Sequence, residues 1–194
     1  MKLFQKTSVT TLVLIVSLFV TLTGNAKFFA EVVSVYPLSE NLGFVVSLIV
    51  WLFSFLSIVL LLIAYRFSIK PVLIFILLAS AVVSYFSNNY GTIFDDNMIV
   101  NSLETNLAES IDLFSFKLIV YFVVLGVLPA VWVYKLKIQR VVISSMLWGK
   151  FKAIVVLISV FVLVTLLFSK AYTSFARENR SEERRVGKEC RSRW

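Results

Sequence analysis

The 194-residue sequence has no histidine and a single cysteine, Cys190. Without histidine there is no imidazole general base and no histidine-ligated metal within these residues. With Cys190 alone, no disulfide closes within the chain and no thiolate nucleophile lies upstream of it. Charge is scarce as well: 15% of residues are Asp, Glu, Lys or Arg, against about 25% in a soluble domain. So few charges cannot cover a water-facing surface of this size. The absences therefore exclude the usual parts of a hydrolytic or metal centre, and no catalytic residue and no metal ligand set are expected in the chain.

What is present in quantity is apolar side chain, 59% of the chain. An apolar run of about 20 residues crosses a hydrocarbon core of about 30 Å as a helix. Five runs qualify, at about 10–29, 42–65, 72–86, 118–134 and 153–168. They are continuously apolar, without the alternation of barrel strands, so the expected fold class is an all-α membrane protein of five transmembrane helices. Lys2 and Lys6 ahead of the first run, and "GNA" near its end, resemble a signal peptide. The long apolar core and the four runs that follow favour an uncleaved first helix.

The net charge of +8 is distributed as membrane flanks rather than as a nucleic-acid groove, so no nucleic-acid partner is expected. One set of flanks holds Lys2, Lys6, Arg66, Lys70, Lys135, Lys137, Arg140, Lys150 and Lys152 and has no acid. The other holds Glu31, Glu40, Asp95, Asp96, Glu104, Glu109 and Asp112 against Lys27 and Lys117. The basic set is expected in the cytoplasm, giving an N-in, C-out topology in a bacterial inner membrane, with the C-terminus periplasmic.

The longest predicted loop, 87–116, is then periplasmic and contains the pattern of an amphipathic helix. Asp95 or Asp96 suits its N-terminus. Ile99, Val100, Leu103, Leu107 and Ile111 form one stripe, and Asn101, Thr105 and Glu109 recur every four residues roughly opposite, joined by Asp112. A solvated face accounts for such a polar stripe. So does a ligand-binding stripe, in which amide, hydroxyl and carboxylate suit an amine-bearing head group. Spacing alone does not choose between them.

The loop "NYGTIFDDNMIVNSLETNLAES" resembles the signature loop of the phosphoethanolamine transferases that modify lipid A, the group that includes the mobile colistin resistance enzymes. The matching positions are Tyr90, Gly91, Asp95, Met98, Asn101, Thr105 and Glu109. "TGNAKFF" and "YTSFAREN" fit the same pattern, so the resemblance covers about residues 10 to 179. It implies a transferase that moves phosphoethanolamine from phosphatidylethanolamine to lipid A or a related envelope lipid, a polymyxin-resistance chemistry. It also implies that Asn101, Thr105 and Glu109 bind substrate, with Tyr90, Asp95 and Met98 in support. In that family the chemistry belongs to a periplasmic domain with a zinc-activated threonine. The residues for it are not in this chain, so residues 1–179 are expected to be a transmembrane domain, inactive alone, with the catalytic domain missing.

The last fifteen residues, "RSEERRVGKECRSRW" (180–194), break with all of this. They resemble, over their whole length, the translation of a common sequencing-library adapter, and are expected to be an artefact joined near Asn179. A native basic tail for acidic lipids is the alternative. Among functions, a membrane scaffold or lipid-binding module without catalysis is the main rival. A transporter is disfavoured because the five predicted span cores hold no charge. Another transferase with a different acceptor is a further rival, which the sequence does not separate from the first reading.

Overall fold

The first apolar run folds as two helices rather than one. In the computed structural model, which describes residues 7–63, 65, 68–90, 116–139, 143–175 and 177, α1 spans Val9–Gly24 and α2 spans Ala26–Val35. Their axes differ by 57°. Asn25 supplies the break, with φ −111° and ψ 21° outside the helical range. Its side-chain amide donates to the Val20 and Thr21 carbonyls at 3.4 and 3.3 Å, taking acceptors that the next helical turn would otherwise use. The single helix expected over 10–29 is corrected accordingly. An asparagine behind a glycine ends α1 because its side chain competes with the backbone ladder.

The remaining runs form α3 (Leu38–Ile63), α4 (Ile69–Tyr90), α5 (Phe116–Tyr121), α6 (Leu128–Lys135) and α7 (Ile143–Leu167). α3, α4 and α7 each begin ahead of the apolar run that announced them, while α3 and α7 stop just short of its end. Between α5 and α6, residues Phe122–Val127 are π-helical, with the Leu128 amide donating to the Val123 carbonyl. Pro129 follows at once. In an unbroken α-helix its ring would press on the carbonyl four residues back, and the wider turn relieves that clash. Residues 169–175 are again helical after a turn at Phe168.

The run expected over 153–168 is charge-free, but α7 reaches beyond it. The helix expected over 153–168 starts at Ile143 and takes in Lys150 and Lys152. Nothing in "SSMLWGKFK" breaks a helix strongly, and lysine is a good helix former. Lys152 lies 5.3 Å from the centre of the Trp148 ring, and Lys150 is buried. Lysine stems near a helix end cover apolar surface while the ammonium reaches outward.

By length and composition, Leu38–Ile63, Ile69–Asn89, Phe116–Lys135 and Ser144–Leu167 can each cross a membrane, and the bent pair α1–α2 makes a fifth candidate. Together they describe a multi-pass membrane protein. Among the described residues there is no strand, only an isolated bridge between Thr7 and Ile138. Leu12, Val13 and Val16 of α1, Leu60 and Leu61 of α3, and Leu73 and Leu77 of α4 form the core, closed by Val133 of α6 and Leu157 of α7. Large apolar side chains on α7, among them Phe151, Val156, Leu163 and Leu166, face outward, as a lipid-facing helix requires.

Successive spans run in opposite directions, so the bundle has two chemically distinct ends. One carries Lys70, Lys135 and Lys137; there the Lys70 ammonium caps α6 by donating to the Tyr134 carbonyl at 2.8 Å. The other gathers the end of α1, all of α2, the start of α3, the end of α4, the start of α5 and residues 169–175. That second end is called the loop end below, because segment 91–115 leaves and re-enters there.

Candidate functional site

Segment 91–115 is attached at the loop end through α4 and α5, and polar side chains tie both attachments down. On the α4 side, Asn89 Nδ2 donates to the Tyr85 carbonyl at 2.9 Å, and Asn88 Nδ2 donates to Ser84 Oγ at 3.2 Å. Ser84 Oγ in turn donates to the Thr23 carbonyl at the end of α1 at 3.1 Å. On the α5 side, Lys117 Nζ donates to Asn89 Oδ1, which joins the two flanks directly. The Tyr85 and Tyr121 rings meet edge-on at 5.8 Å beneath this link. The result is a closed base: a long segment whose two ends are held side by side, with a cation and two amides at its foot.

Of the residues singled out in the sequence, Tyr90 is the last residue of α4. Asp95, Met98, Asn101, Thr105 and Glu109 lie outside the described residues. The described structure shows only where the two ends of segment 91–115 are held. The anchoring residues Ser84, Asn88, Asn89 and Lys117 were not singled out as site residues. The signal for Asn88, Asn89 and Lys117 was a polar cluster, "SNNY", closing an apolar run, and a lone lysine opening the next; Ser84 lies inside the run, with nothing to mark it.

A second assembly occupies the same end. Phe28 near the start of α2, Tyr36 at its end and Phe44 of α3 pack with Phe175, and Val32, Val45 and Leu48 fill the space beneath. Phe44 also lies 5.7 Å from the Tyr172 ring. The Tyr172 hydroxyl donates to Ser47 Oγ at 3.1 Å, and Ser47 Oγ donates to the Phe44 carbonyl at 2.6 Å. Burial pushes the Tyr172 phenol above its ordinary pKa, and the bond to Ser47 opposes this only in part. The phenol is therefore neutral throughout the physiological range and remains a donor. Lys27 and Glu31, on the exposed edge of α2, pair at 3.4 Å.

Among the described residues no group of three or more Asp, Glu, His or Cys could hold a metal ion. The described side chains do not make a zinc site. What the loop end offers instead is an aromatic shelf, neutral hydrogen-bonding groups and isolated charges.

The comparisons with known proteins agree in kind. The family model described as phosphoethanolamine transferase EptA/EptB matches residues 52–186, a range that runs past the composition change at Arg180. The phosphatidylethanolamine transferase Mcr-2 of Escherichia coli is 38% identical over 169 residues, covering 84% of this chain and 30% of that protein. Mcr-1 of the same organism is 40% identical over 167 residues, covering 86% and 31%. Among solved structures, the integral membrane protein lipooligosaccharide phosphoethanolamine transferase A of Neisseria meningitidis superposes with a TM-score of 0.83 at 30% identity. It covers 91% of this chain and 33% of that one. The chain thus spans about a third of the length of the relatives it matches.

Proposed function

The chain belongs to the phosphoethanolamine transferase family as its N-terminal membrane domain, and from that premise we propose that it presents lipid to a catalytic domain that follows. The whole enzyme would move phosphoethanolamine from phosphatidylethanolamine to lipid A or a related envelope lipid, in a bacterial inner membrane. The loop end faces the periplasm in this reading, because the opposite end carries the acid-free lysines and arginines. The zinc chemistry belongs to the following domain, and residues 180–194 are not native sequence.

The family-model match carries the reading, and the closed base under segment 91–115 gives it a mechanism. Lys117 and Asn89 hold the two ends of that segment together. A segment closed at its base loses less conformational freedom when it orders around a ligand, which favours binding. Asn101, Thr105 and Glu109 then meet the head group, with Tyr90, Asp95 and Met98 in support. Glu109 faces the ammonium, and the amide and hydroxyl face the remaining polar atoms. These residues orient the lipid and do not act as nucleophile or base.

The test joins residues 1–179 to the following domain of a relative and follows lipid A by mass spectrometry in cells. The joined protein should add phosphoethanolamine. Glu109→Ala should cut the modified fraction by roughly tenfold, the scale of one lost charge-assisted contact, at equal membrane abundance. Full modification by Glu109→Ala would return that residue to a solvated face. No modification by the unsubstituted joined protein would favour a scaffold or lipid-binding role without catalysis.

A further inference from the structure

Residues that leave the last membrane helix are usually the start of a linker, polar and loosely held. Here they are not. Within one short helical stretch after Phe168, two aromatic side chains are committed to other helices. The Phe175 ring lies 6.4 Å from Phe28, 6.3 Å from Tyr36 and 6.1 Å from Phe44, each within the attractive range for ring pairs. The contact with Phe28 is edge-on, at 89°. Tyr172 adds ring contacts to Phe44 at 5.7 Å and Trp51 at 6.5 Å. It also makes the bond to Ser47 described above.

We propose that this aromatic seat is a docking surface for the chain's own exit segment, and that Tyr172 and Phe175 are positioning residues that set the direction in which the chain leaves the membrane. The proposal rests on the reading that a catalytic domain follows. Apolar contact alone would let residues 169–175 slide over the shelf. The Tyr172 hydroxyl removes that freedom, because Ser47 accepts it at one register and is itself held by the Phe44 carbonyl. The bend at Asn25 is part of the same device: it turns α2 by 57° from α1 and brings Phe28 over the bundle end. The following domain is then aimed at the loop end, where segment 91–115 meets the head groups, instead of tumbling on a tether.

Two measurements separate this proposal from the functional reading beneath it. The first uses the chain itself in phosphatidylethanolamine–phosphatidylglycerol vesicles and follows trypsin cleavage at Lys170 and Arg177. Cleavage of a briefly opened segment tracks its open population. Phe175→Ala should raise cleavage at Lys170 about tenfold, the scale of losing two to three ring contacts, and Phe175→Trp should restore protection. Equal cleavage in the parent and in Phe175→Ala would overturn the seat.

The second uses the joined enzyme. Phe175→Ala should lower kcat about tenfold and leave KM for phosphatidylethanolamine unchanged, because the head-group stripe lies on another segment, and Phe175→Trp should recover the rate. A change confined to KM, or no change in kcat, would overturn the positioning role. An inactive parent fusion would count against the functional reading, and the trypsin result would still decide the seat.

Discussion

At the residue scale, two helix glycines, Gly126 buried and Gly43 exposed, obey opposite rules. A Cβ built on Gly126 would sit 3.1 Å from the Ala81 Cβ and 3.3 Å from Leu78 Cδ2, closer than side chains normally pack. One on Gly43 would touch only the Phe168 ring, at 3.6 Å. Gly126 therefore lets the π-helical segment approach α4 closely, as small residues do between membrane helices. Alanine gains up to about 1 kcal/mol over glycine in a helix, whereas overpacking costs about 1–3 kcal/mol. Gly43→Ala should leave thermal stability in detergent unchanged or slightly raised, and Gly126→Leu should lower it by about 1–3 kcal/mol. A Gly126→Leu protein as stable as the parent would mean that α4 and the π-helical segment are not in close contact. Neither rule can be read from the sequence, where both glycines sit in uniformly apolar runs and nothing marks which face meets a neighbour.

At the element scale, the helical type of the long apolar segments was legible because hydropathy reports burial in lipid directly. Their ends were not. Asn25 looks like one polar residue near the end of a span, yet its amide stops α1 and redirects the chain. Lys150 and Lys152 look like loop, yet helix propensity carries α7 through them. The base of segment 91–115 was hidden for a related reason: Asn89 and Lys117 are far apart in sequence, and only the antiparallel packing of α4 on α5 brings them together. Replacing Lys117 by methionine should free Asn89 and loosen the last turn of α4. Amide exchange over residues 86–90 should then rise several-fold, on the scale of one charge-assisted hydrogen bond, with exchange in α1 unchanged. Unaltered exchange at the end of α4 would show that the link contributes nothing to closing the base.

At the scale of the whole molecule, the two ends of the bundle divide the labour. The basic end caps and anchors, through Lys70 on α6 and the Thr7–Ile138 bridge. The loop end gathers everything suited to recognition: the closed base, the aromatic seat and the exit of the chain. Family membership was legible from one loop, because the spacing of Asn101, Thr105 and Glu109 is specific where the apolar runs are not. The seat was illegible because its residues come from three separated stretches, around Phe28, Phe44 and Phe175, each ordinary in composition. The central claim is that this chain is the membrane third of a longer transferase, with the segment from Arg180 onward foreign to it. The most direct measurement is to amplify the locus from source DNA and sequence across the codon for Asn179. The account predicts that the frame continues into a periplasmic domain carrying Glu, Thr, Asp and His as zinc ligands. A native stop codon after Trp194 would contradict it and leave a five-span module whose role lies in binding lipid or protein.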